Sequence, residues 1–331
     1  MKYPAVRNAH VVPECYLRNF ARAGKQIETH RVGASGSETR PVKKVGVRPY
    51  QYRRTRPDGT KIDDIEWSLS KMEDKAAPLL REIETRWPLT TDERGLMASF
   101  AAAQVVRGPR WAAWYERQTH QQITELREKP DETDLTEGHD GPQTLDDIEA
   151  VLLSDTFRLR QMLEYARKLP AILGSMHWTL VEFRSPLIAT SDHPVVLWPL
   201  NSGGRAPQAT QPIGFINSLE VRLPVSPTAT ILMAWIDVAD TAQPRVRGAR
   251  HHAANINAFT VAEAERHWFH LPETTAPVAS GRLAPLTPEL VKGYSHAVAR
   301  ASQRRKTVKE IMDAQIGQPS KEWFEMVVAA Q

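Results

Sequence analysis

The sequence predicts an α+β fold in which a mainly helical N-terminal half packs on a strand-rich, antiparallel C-terminal half. Apolar side chains recur at helical spacing through much of residues 63–169, whereas clean alternation of apolar and polar residues begins after Gly174. Helices and strands come in separate blocks along the chain, which argues against a doubly wound sheet. We therefore expect two regions, residues 1–174 and 175–331, that form one composite unit with a shared cleft.

Composition places the chain among ordinary globular proteins. Of its 331 residues, 41% are hydrophobic and 25% are charged. Cys15 is the single cysteine, which excludes an internal disulfide and a cysteine-based metal site. No apolar run approaches the roughly 20 residues that a membrane span needs, and residues 1–20 lack the apolar core of a signal peptide. We therefore expect no membrane partner and a cytoplasmic location.

The net charge of +4 is unevenly distributed. Residues 1–60 carry thirteen Lys and Arg residues against four acidic ones, and residues 43–56 (KKVGVRPYQYRRTR) combine six of these basic side chains with Tyr50 and Tyr52. Basic side chains beside aromatic rings are what phosphate contact and base stacking need. The segment therefore predicts RNA or DNA as a partner. A solvated basic loop, or one that faces the protein's own acidic surface, is the alternative.

Short elements are expected before the first long helix. Pro13 is typical of a first helical turn, so we expect a short helix that follows it and ends by Gly24. Residues 26–32 and 42–48 have strand-like patterns and predict a small hairpin. Residues 33–39 (GASGSET) between them have the composition of a loop.

Long helices are expected next. The first spans residues 63–86, with one apolar face, and ends at Trp87-Pro88. Thr90 and Glu93 form a capping-box signature that opens the second helix. That helix must kink or break at Gly108-Pro109, because proline removes a backbone donor, and a further helix follows.

Residues 129–143 are acidic, polar and rich in turn formers, so we expect a linker or a disordered loop there. Residues 145–169 then resume helical periodicity, so we expect helical structure there.

The C-terminal half has the patterns of antiparallel strands. Residues 176–183 alternate cleanly, residues 187–199 predict a strand, a turn and a strand, and a hairpin is expected around Pro227. We then expect a helix that begins near Val261 and continues through residues 267–269 (HWF). Another helix is expected from Thr287-Pro288.

Several common catalytic and cofactor motifs are missing. The chain contains no GxGxxG, no Walker-type phosphate loop, no HExxH and no GxSxG, which removes most support for nucleotide cofactors and serine-hydrolase chemistry. His251 and His252 are adjacent, so their side chains should diverge. His267 and His270 should share a helix face but lack a companion carboxylate at a ligand-like offset. We therefore predict no metal ligands among these histidines.

The opening segment carries a family resemblance. Residues 9–21 (AHVVPECYLRNFA) resemble the His-x-x-Pro-x-x-Tyr-Leu-x-x-Phe signature of the uncharacterised family DUF4238. Further matches follow in order: IEWSLSKMEDKAAPLL, QVVRGPR, ATSDHPVV, PVSP and Asn255. The resemblance covers nearly the whole chain. It implies a microbial protein with this helix-then-strand layout, and it implies no established activity.

Three of the matching residues carry titratable side chains near the first helices. His10 lies just before a proline-started helix, where exposed amides attract an anion, or it is a buried histidine bonded to backbone. Glu66 and Glu73 are two helical turns apart and share a face with apolar residues. Buried carboxylates need partners, so we expect Glu73 to reach an internal basic group unless it stays at the surface.

Gln104 and Arg107 lie one turn apart on an otherwise apolar helix, so both demand polar partners. Arg107 has two interpretations: it pairs with Glu73 and ties two helices together, or its fork holds a phosphate or carboxylate. Arg110 follows the Gly-Pro break and is expected to be more exposed.

Asp192 follows an apolar strand and precedes His193-Pro, a position that presents side chains to a site, although it also suits a turn cap. Asn255 is expected either to hydrogen-bond a ligand or to cap the helix near Val261.

These scattered polar side chains suit a shared cleft that hydrolyses or transfers a phosphodiester. The predicted site takes its members from separate elements, with His10, Glu73, Arg107 and Asp192 catalytic and with Gln104, Arg110 and Asn255 binding. The leading hypothesis is a nucleic-acid-directed, nuclease-like hydrolase. A non-enzymatic binding or sensing module, and an enzyme acting on a small anionic metabolite, are the alternatives. The cofactor stays open, with a divalent cation held by Glu73 and Asp192 as one option, and no oligomeric state is predicted.

Overall fold

The computed structural model describes residues 8–55, 58–128, 144–199, 218–235, 243–280 and 283–290. These residues form an α+β fold, with most helices in the first half and most sheet strands in the second. Among them, no helix combines the length and apolar character that crossing a bilayer requires.

The elements of the first half are, in chain order, β1 (Asn8–His10), α1 (Glu14–Leu17), β2 (Gln26–Arg31), β3 (Ser37–Pro41), β4 (Val47–Pro49), β5 (Arg54–Thr55), β6 (Lys61–Ile62), α2 (Asp64–Arg86), α3 (Thr91–Val106), α4 (Pro109–Arg127), α5 (Leu145–Leu153) and α6 (Asp155–Ser175). Two short 3-10 turns, Arg18–Phe20 and Val42–Lys44, lie between the early elements.

The elements of the second half are β7 (His177–Glu182), β8 (Thr190–Ser191), β9 (Val196–Pro199), β10 (Ser218–Ser226), β11 (Ala229–Ala234), β12 (Arg245–Arg247), α7 (Arg250–Glu263), β13 (His267–His270) and α8 (Thr287–Leu290).

The start and end signals of the long helices are confirmed. Helix α2 begins one residue after Asp63 and ends before Trp87. The Thr90 hydroxyl accepts a hydrogen bond from the Glu93 backbone, and the Glu93 carboxylate accepts one from the Thr90 backbone, as a capping box requires. Gly108 separates α3 from α4. Local hydrogen bonds and proline geometry set these boundaries, so they could be predicted without the fold.

The helical pattern of residues 145–169 is confirmed, and the segment forms two helices because the Ser154 hydroxyl caps α6 at the Phe157 N–H. Two other predictions about single segments are wrong. The predicted loop at residues 33–39 includes the start of β3, which is the strand that pairs with β2. The predicted strand at residues 42–48 is instead a 3-10 turn followed by β4. Residues 129–143 lie outside the described residues.

The helix predicted from Val261 is also placed wrongly. Helix α7 begins at Arg250 and ends at Glu263, and His267–His270 is a strand instead of a helix. Strand β13 lies between β2 and β8 in a four-stranded sheet, where Phe269 is fully buried. Pairing with β2, more than two hundred residues earlier, overrides the local helical pattern.

Two sheets and their helices share one core. The larger sheet has the order β12-β7-β11-β10-β9, and the second has the order β3-β2-β13-β8. The main buried cluster combines side chains from both sides of Gly174, among them Tyr16, Phe100, Trp178 and Phe269. A ribbon of β1 and β4 lies beside this core, with His10 opposite Val47.

Candidate functional site around Arg107

A group of polar side chains meets where β1 approaches α2 and α3. We call it the Arg107 cluster, and its members are His10, Tyr52, Glu66, Glu73, Gln104 and Arg107. Glu66 and Glu73 share one face of α2, because they are two helical turns apart. Gln104 lies one turn before Arg107 at the end of α3. The structure thus brings together His10, Glu73 and Arg107 of the predicted site, and α3 places Gln104 one turn away.

Arg107 contacts three members of the cluster. Its Nε donates to the Tyr52 hydroxyl at 3.1 Å, its Nη1 to the Glu73 carboxylate at 2.6 Å and its Nη2 to the His10 carbonyl at 2.5 Å. The Arg107 side chain is only 1% exposed, so these bonds replace its contacts with water. The pair with Glu73 ties α2 to α3, which agrees with the interpretation of Arg107 as a connection between two helices.

The backbone of His10 is held from both sides. Its N–H donates a hydrogen bond to the Glu66 carboxylate, and its carbonyl accepts the bond from Arg107. Pairing with Val47 fixes the strand in addition. These contacts fix the main chain that carries the His10 imidazole, and the ring's Nε2 has no hydrogen-bond partner among the described residues.

Several buried polar atoms of this region have no hydrogen-bond partner among the described residues. They are His10 Nε2, Glu66 Oε2, both amide atoms of Gln104 and Trp111 Nε1. Trp111 belongs to the same apolar cluster as Tyr52. Buried polar atoms are normally paired, so a group of unpaired ones indicates a place for water or for a ligand.

The protonation states of His10 and Glu66 are displaced in ways that suit proton exchange. Burial lowers the pKa of His10, although the nearby carboxylates of Glu14 and Glu73 oppose the effect. Burial raises the pKa of Glu66, and Arg107 opposes that effect. His10 is therefore a neutral imidazole at neutral pH, and Glu66 retains its proton to a higher pH than an ordinary carboxyl.

The cluster has a buried floor and a partly exposed rim. Tyr52, Gln104 and Arg107 are buried, whereas His10 and Glu66 are half-buried. The Glu73 side chain is 17% exposed. His10 and Glu66 each keep part of the side chain at the surface, although their unpartnered atoms, His10 Nε2 and Glu66 Oε2, are themselves buried.

Asp192 lies in a different place and has a different set of partners. Its carboxylate accepts the backbone N–H groups of Glu265, Arg266 and His267 at 2.8, 2.7 and 3.0 Å. These bonds shape the turn from α7 to β13. Asp192 is thus a cap, although it caps a segment distant in sequence and not its own turn.

A cavity of about 190 Å³ adjoins Asp192. It is lined by Val11, Thr29, Arg40, Lys44, Val45, Gly46, Val47, Arg48, Asp192, Glu265, Arg266 and His267. The Thr29 hydroxyl is buried and has no partner among the described residues. We call this cavity the basic cleft, because its cationic side chains outnumber its carboxylates.

Arg110 and Asn255 belong to two further networks. Arg110 forms an ion pair with Glu263 and so joins α4 to α7. Asn255 lies inside α7, so the prediction that it caps a helix near Val261 is wrong. Its side-chain oxygen accepts a bond from Arg222 at 2.8 Å, within a buried Glu220–Arg222 pair.

Three of the six basic residues in the segment 43–56 pair with the protein's own acids. Arg53 pairs with Asp63, Arg54 with Asp64, and Arg48 with Glu265. Tyr52 is buried under Arg107 and cannot serve as an exposed stacking surface, whereas Tyr50 is 46% exposed. For these three arginines the structure agrees with the alternative of an acidic partner within the chain.

The carboxylates proposed as cation ligands do not meet, because Glu73 pairs with Arg107 and Asp192 binds backbone amides. Among the described residues, ligand atoms of His251, His252 and Glu289 do lie close together. The two histidine rings are 4.0 Å apart, so the expected divergence is wrong.

That histidine group does not fit a metal ion. His252 Nδ1 accepts the Ala249 N–H at 3.0 Å, so the neutral ring carries its proton on Nε2. This Nε2 lies 3.0 Å from the Glu289 carboxylate and donates to it. It therefore has no lone pair to offer a metal.

Two members of the cluster were not predicted as site residues. Glu66 could have been found, because its seven-residue spacing from Glu73 already places both on one face. Tyr52 was interpreted as a stacking aromatic, and nothing local indicates that its hydroxyl meets Arg107, which is 55 residues away in sequence.

Comparison with known proteins gives a family match. No curated protein and no solved structure matches the chain. The family model described as "Protein of unknown function (DUF4238)" matches residues 8–274, which include every member of the Arg107 cluster and the basic cleft. Because this match covers most of the 331 residues, the chain belongs to the DUF4238 family.

Proposed function

We propose that this protein is a nuclease-like hydrolase in which His10 and Glu66 exchange protons with a nucleic-acid phosphodiester. One observation carries the proposal: His10 Nε2 and Glu66 Oε2 are both buried and unpartnered beside Arg107, and burial displaces their two pKa values in opposite directions. Glu66 takes the place of Glu73 and Asp192 as the acid, since those carboxylates are occupied by Arg107 and by backbone amides.

In this mechanism neutral His10 accepts the proton of the attacking hydroxyl group, from water or from a ribose. The new P–O bond forms as the P–O bond to the leaving group breaks, and protonated Glu66 gives its proton to the leaving oxygen. The Gln104 amide, which is unpartnered, donates to a phosphoryl oxygen. Exchange with solvent then returns the proton from His10 to Glu66.

Arg107 serves mainly as a positioning residue. A guanidinium has five N–H donors, and three of them hold Tyr52, Glu73 and the His10 carbonyl. Arg107 thereby holds the His10 backbone and pairs with the Glu73 carboxylate beside it. Any remaining donor that faces the ligand would add positive charge at the phosphoryl group.

The basic cleft supports a phosphate-bearing substrate. It is lined by Arg40, Lys44 and Arg266, and it lies against the β1–β4 ribbon that carries His10. Its volume of about 190 Å³ is large enough for a phosphate group. A nucleic-acid strand that placed one phosphate in this cleft would bring an adjacent linkage towards the exposed rim of the Arg107 cluster.

The test is cleavage of labelled single- and double-stranded RNA and DNA, with Mg²⁺ or with EDTA, by the wild type and by the His10→Gln and Glu66→Gln variants. We expect cleavage in EDTA and a loss of about 100-fold or more in either variant, the usual size of one acid–base contribution. His120→Gln is the matched control, because His120 is 58% exposed on α4.

Cleavage that persists unchanged in both variants would overturn the assignment of His10 and Glu66. A binding or sensing module is the second candidate, because the bonded state of Arg107 also suits a purely structural connection. Salt-sensitive retention of nucleic acid without cleavage would support that candidate. Neither cleavage nor retention would redirect the search to small phosphorylated or carboxylated ligands.

A further inference from the structure

A buried hydroxyl group lies in the wall of the basic cleft. Thr29 is in β2, opposite Phe269 of β13, and its side chain lies on the same face of the four-stranded sheet as that of Ile27. Thr29 is only 3% exposed, and its hydroxyl has no hydrogen-bond partner among the described residues. Because buried hydroxyls are normally paired, this one indicates that a ligand or water supplies its partner in the cleft.

Positive charge surrounds this hydroxyl. Four cationic side chains and two carboxylates line the cleft, which leaves an excess of two positive charges: Arg40, Lys44, Arg48 and Arg266 against Asp192 and Glu265. Arg40 also pairs at 2.5 Å with Glu38, which is not part of the lining. The cleft therefore favours an anion over a neutral or cationic ligand.

Both carboxylates of the cleft are already engaged by the protein. Glu265 pairs with Arg48 at 2.7 Å, and Asp192 accepts three backbone N–H groups, including that of Arg266 at 2.7 Å. Asp192 thereby holds the turn that carries Arg266 at the cleft. Neither Lys44 nor Arg266 forms an ion pair with another described residue, so these two cations are available to an anionic ligand.

We propose that the basic cleft binds the terminal phosphate monoester of a nucleic-acid strand. A monoester carries about two negative charges at neutral pH and three acceptor oxygens, whereas a phosphodiester within a strand carries about one charge. The dianion matches the excess charge of the cleft, and one of its oxygens can accept the hydrogen bond of the Thr29 hydroxyl. A volume of about 190 Å³ is smaller than the roughly 300–1,000 Å³ of pockets that enclose a whole small-molecule ligand, so it suits a single phosphate group.

This inference rests on the proposed hydrolase for the identity of the molecule that carries the phosphate. Val11, which follows His10 in the chain, and Val47, which pairs with His10, both line the cleft. A terminal phosphate held there would therefore direct the first internucleotide linkage towards the Arg107 cluster. Hydrolysis of that linkage would release nucleotides from the phosphorylated end of the strand.

The first test measures binding of a monoester without any cleavage. Calorimetry and phosphorus-31 NMR at low ionic strength compare methyl phosphate, a monoester, with dimethyl phosphate, a diester. We expect one equivalent of methyl phosphate to bind, about 10-fold or more tightly than dimethyl phosphate. Lys44→Gln, Arg266→Gln and Thr29→Val should each weaken its binding about 10-fold, the usual effect of losing one hydrogen bond to a charged group. Far-UV circular dichroism establishes that each variant is folded.

Lys43→Gln is the matched control. Lys43 precedes Lys44 in the same 3-10 turn and is exposed, but it does not line the cleft. This variant should bind methyl phosphate as the wild type does. The monoester site would be overturned by equal binding of the two esters, by no saturable binding of methyl phosphate, or by a loss in Lys43→Gln as large as that in Lys44→Gln.

The second test asks whether the phosphate belongs to the end of a strand. Labelled oligonucleotides carry a 5′-phosphate, a 3′-phosphate or hydroxyl groups at both ends. We expect one of the two phosphates to raise kcat/KM about 10-fold, and we expect Lys44→Gln and Thr29→Val to remove this preference. Equal cleavage of all three substrates would overturn the terminal-phosphate assignment and leave the hydrolase standing. Binding of methyl phosphate without cleavage of any substrate would overturn the hydrolase and still support the cleft as a monoester site.

Discussion

The Arg107 guanidinium and the Glu73 carboxylate form an ion pair at 2.6 Å that joins the end of α3 to the middle of α2. The pair is nearly buried on the arginine side, and Arg107 also holds the backbone of β1 through the His10 carbonyl. Three elements that are distant in sequence are therefore connected through one side chain. Its loss should affect both the stability of the fold and the geometry of the candidate site.

Arg107→Met should lower the free energy of unfolding by about 3–5 kcal/mol, because it leaves the Glu73 carboxylate and the His10 carbonyl without their partner in a buried place. Urea unfolding followed by circular dichroism measures the change. Arg81→Met on the exposed surface of α2 is the control and should change stability by less than about 0.5 kcal/mol. Equal effects of the two substitutions would contradict a structural role for the ion pair.

Glu66→Gln should change how stability depends on pH. Burial raises the pKa of Glu66 in the folded state, so the folded protein binds a proton that the unfolded chain has already released. Wild-type stability therefore has a contribution that is present at low pH and is lost as the pH rises through the raised pKa. The variant lacks this loss, so its stability relative to the wild type should increase from pH 4 to pH 8. Parallel stability curves would show that the Glu66 pKa is not raised.

His193 should make the protein sensitive to acid. Burial, together with the nearby Arg110 charge, lowers the pKa of His193 to about 3, so the folded state keeps the ring neutral while the unfolded chain protonates it below pH 6.5. Stability is lost as the pH falls from 6.5 towards 3, and at pH 5 the loss is about 2 kcal/mol. His193→Asn should remove this part of the loss when unfolding is measured at pH 7.5 and pH 5. An unchanged difference between the two pH values would contradict the assignment.

Asn255→Ala separates a structural role from a binding role. Its side chain accepts a bond from Arg222 Nη1 and donates one to the Ala284 carbonyl at 3.0 Å, so its removal deprives the partly buried Arg222 Nη1 of its partner. We expect a loss of about 1–3 kcal/mol in unfolding free energy. Cleavage or retention of nucleic acid per folded molecule should stay at the wild-type level. A selective loss of either one, without a loss of stability, would restore Asn255 as a binding residue.

Much of the helical structure could be predicted because its determinants are local. The bounds of α2, the capping box at Thr90 and the break at Gly108-Pro109 depend on contacts within a few residues. The mistakes arose where distant partners decided the outcome. His267–His270 carries a helix-like pattern, but it pairs with β2 and becomes the centre of a sheet.

The candidate site, like the fold, could be predicted only where its determinants are local in sequence. Burying Gln104 and Arg107 on an apolar helix required polar partners, and this requirement was visible in the sequence. The sequence does not show which partners they meet, because Arg107 binds residues that are 34, 55 and 97 positions away. The same reason explains why Asp192 looked like a site residue, since its three amide partners lie more than seventy residues later.

The sequence by itself determined the family, the α+β class and the need for buried polar partners, because motif spacing, periodicity and residue polarity are properties of short segments. Only the tertiary structure decided that His10 and Glu66 meet beside Arg107, and that Thr29 lies among the cationic side chains of the basic cleft. These juxtapositions depend on how strands pair and helices pack over long sequence distances. The free energy of such contacts comes from burial in the complete fold, which no local pattern specifies.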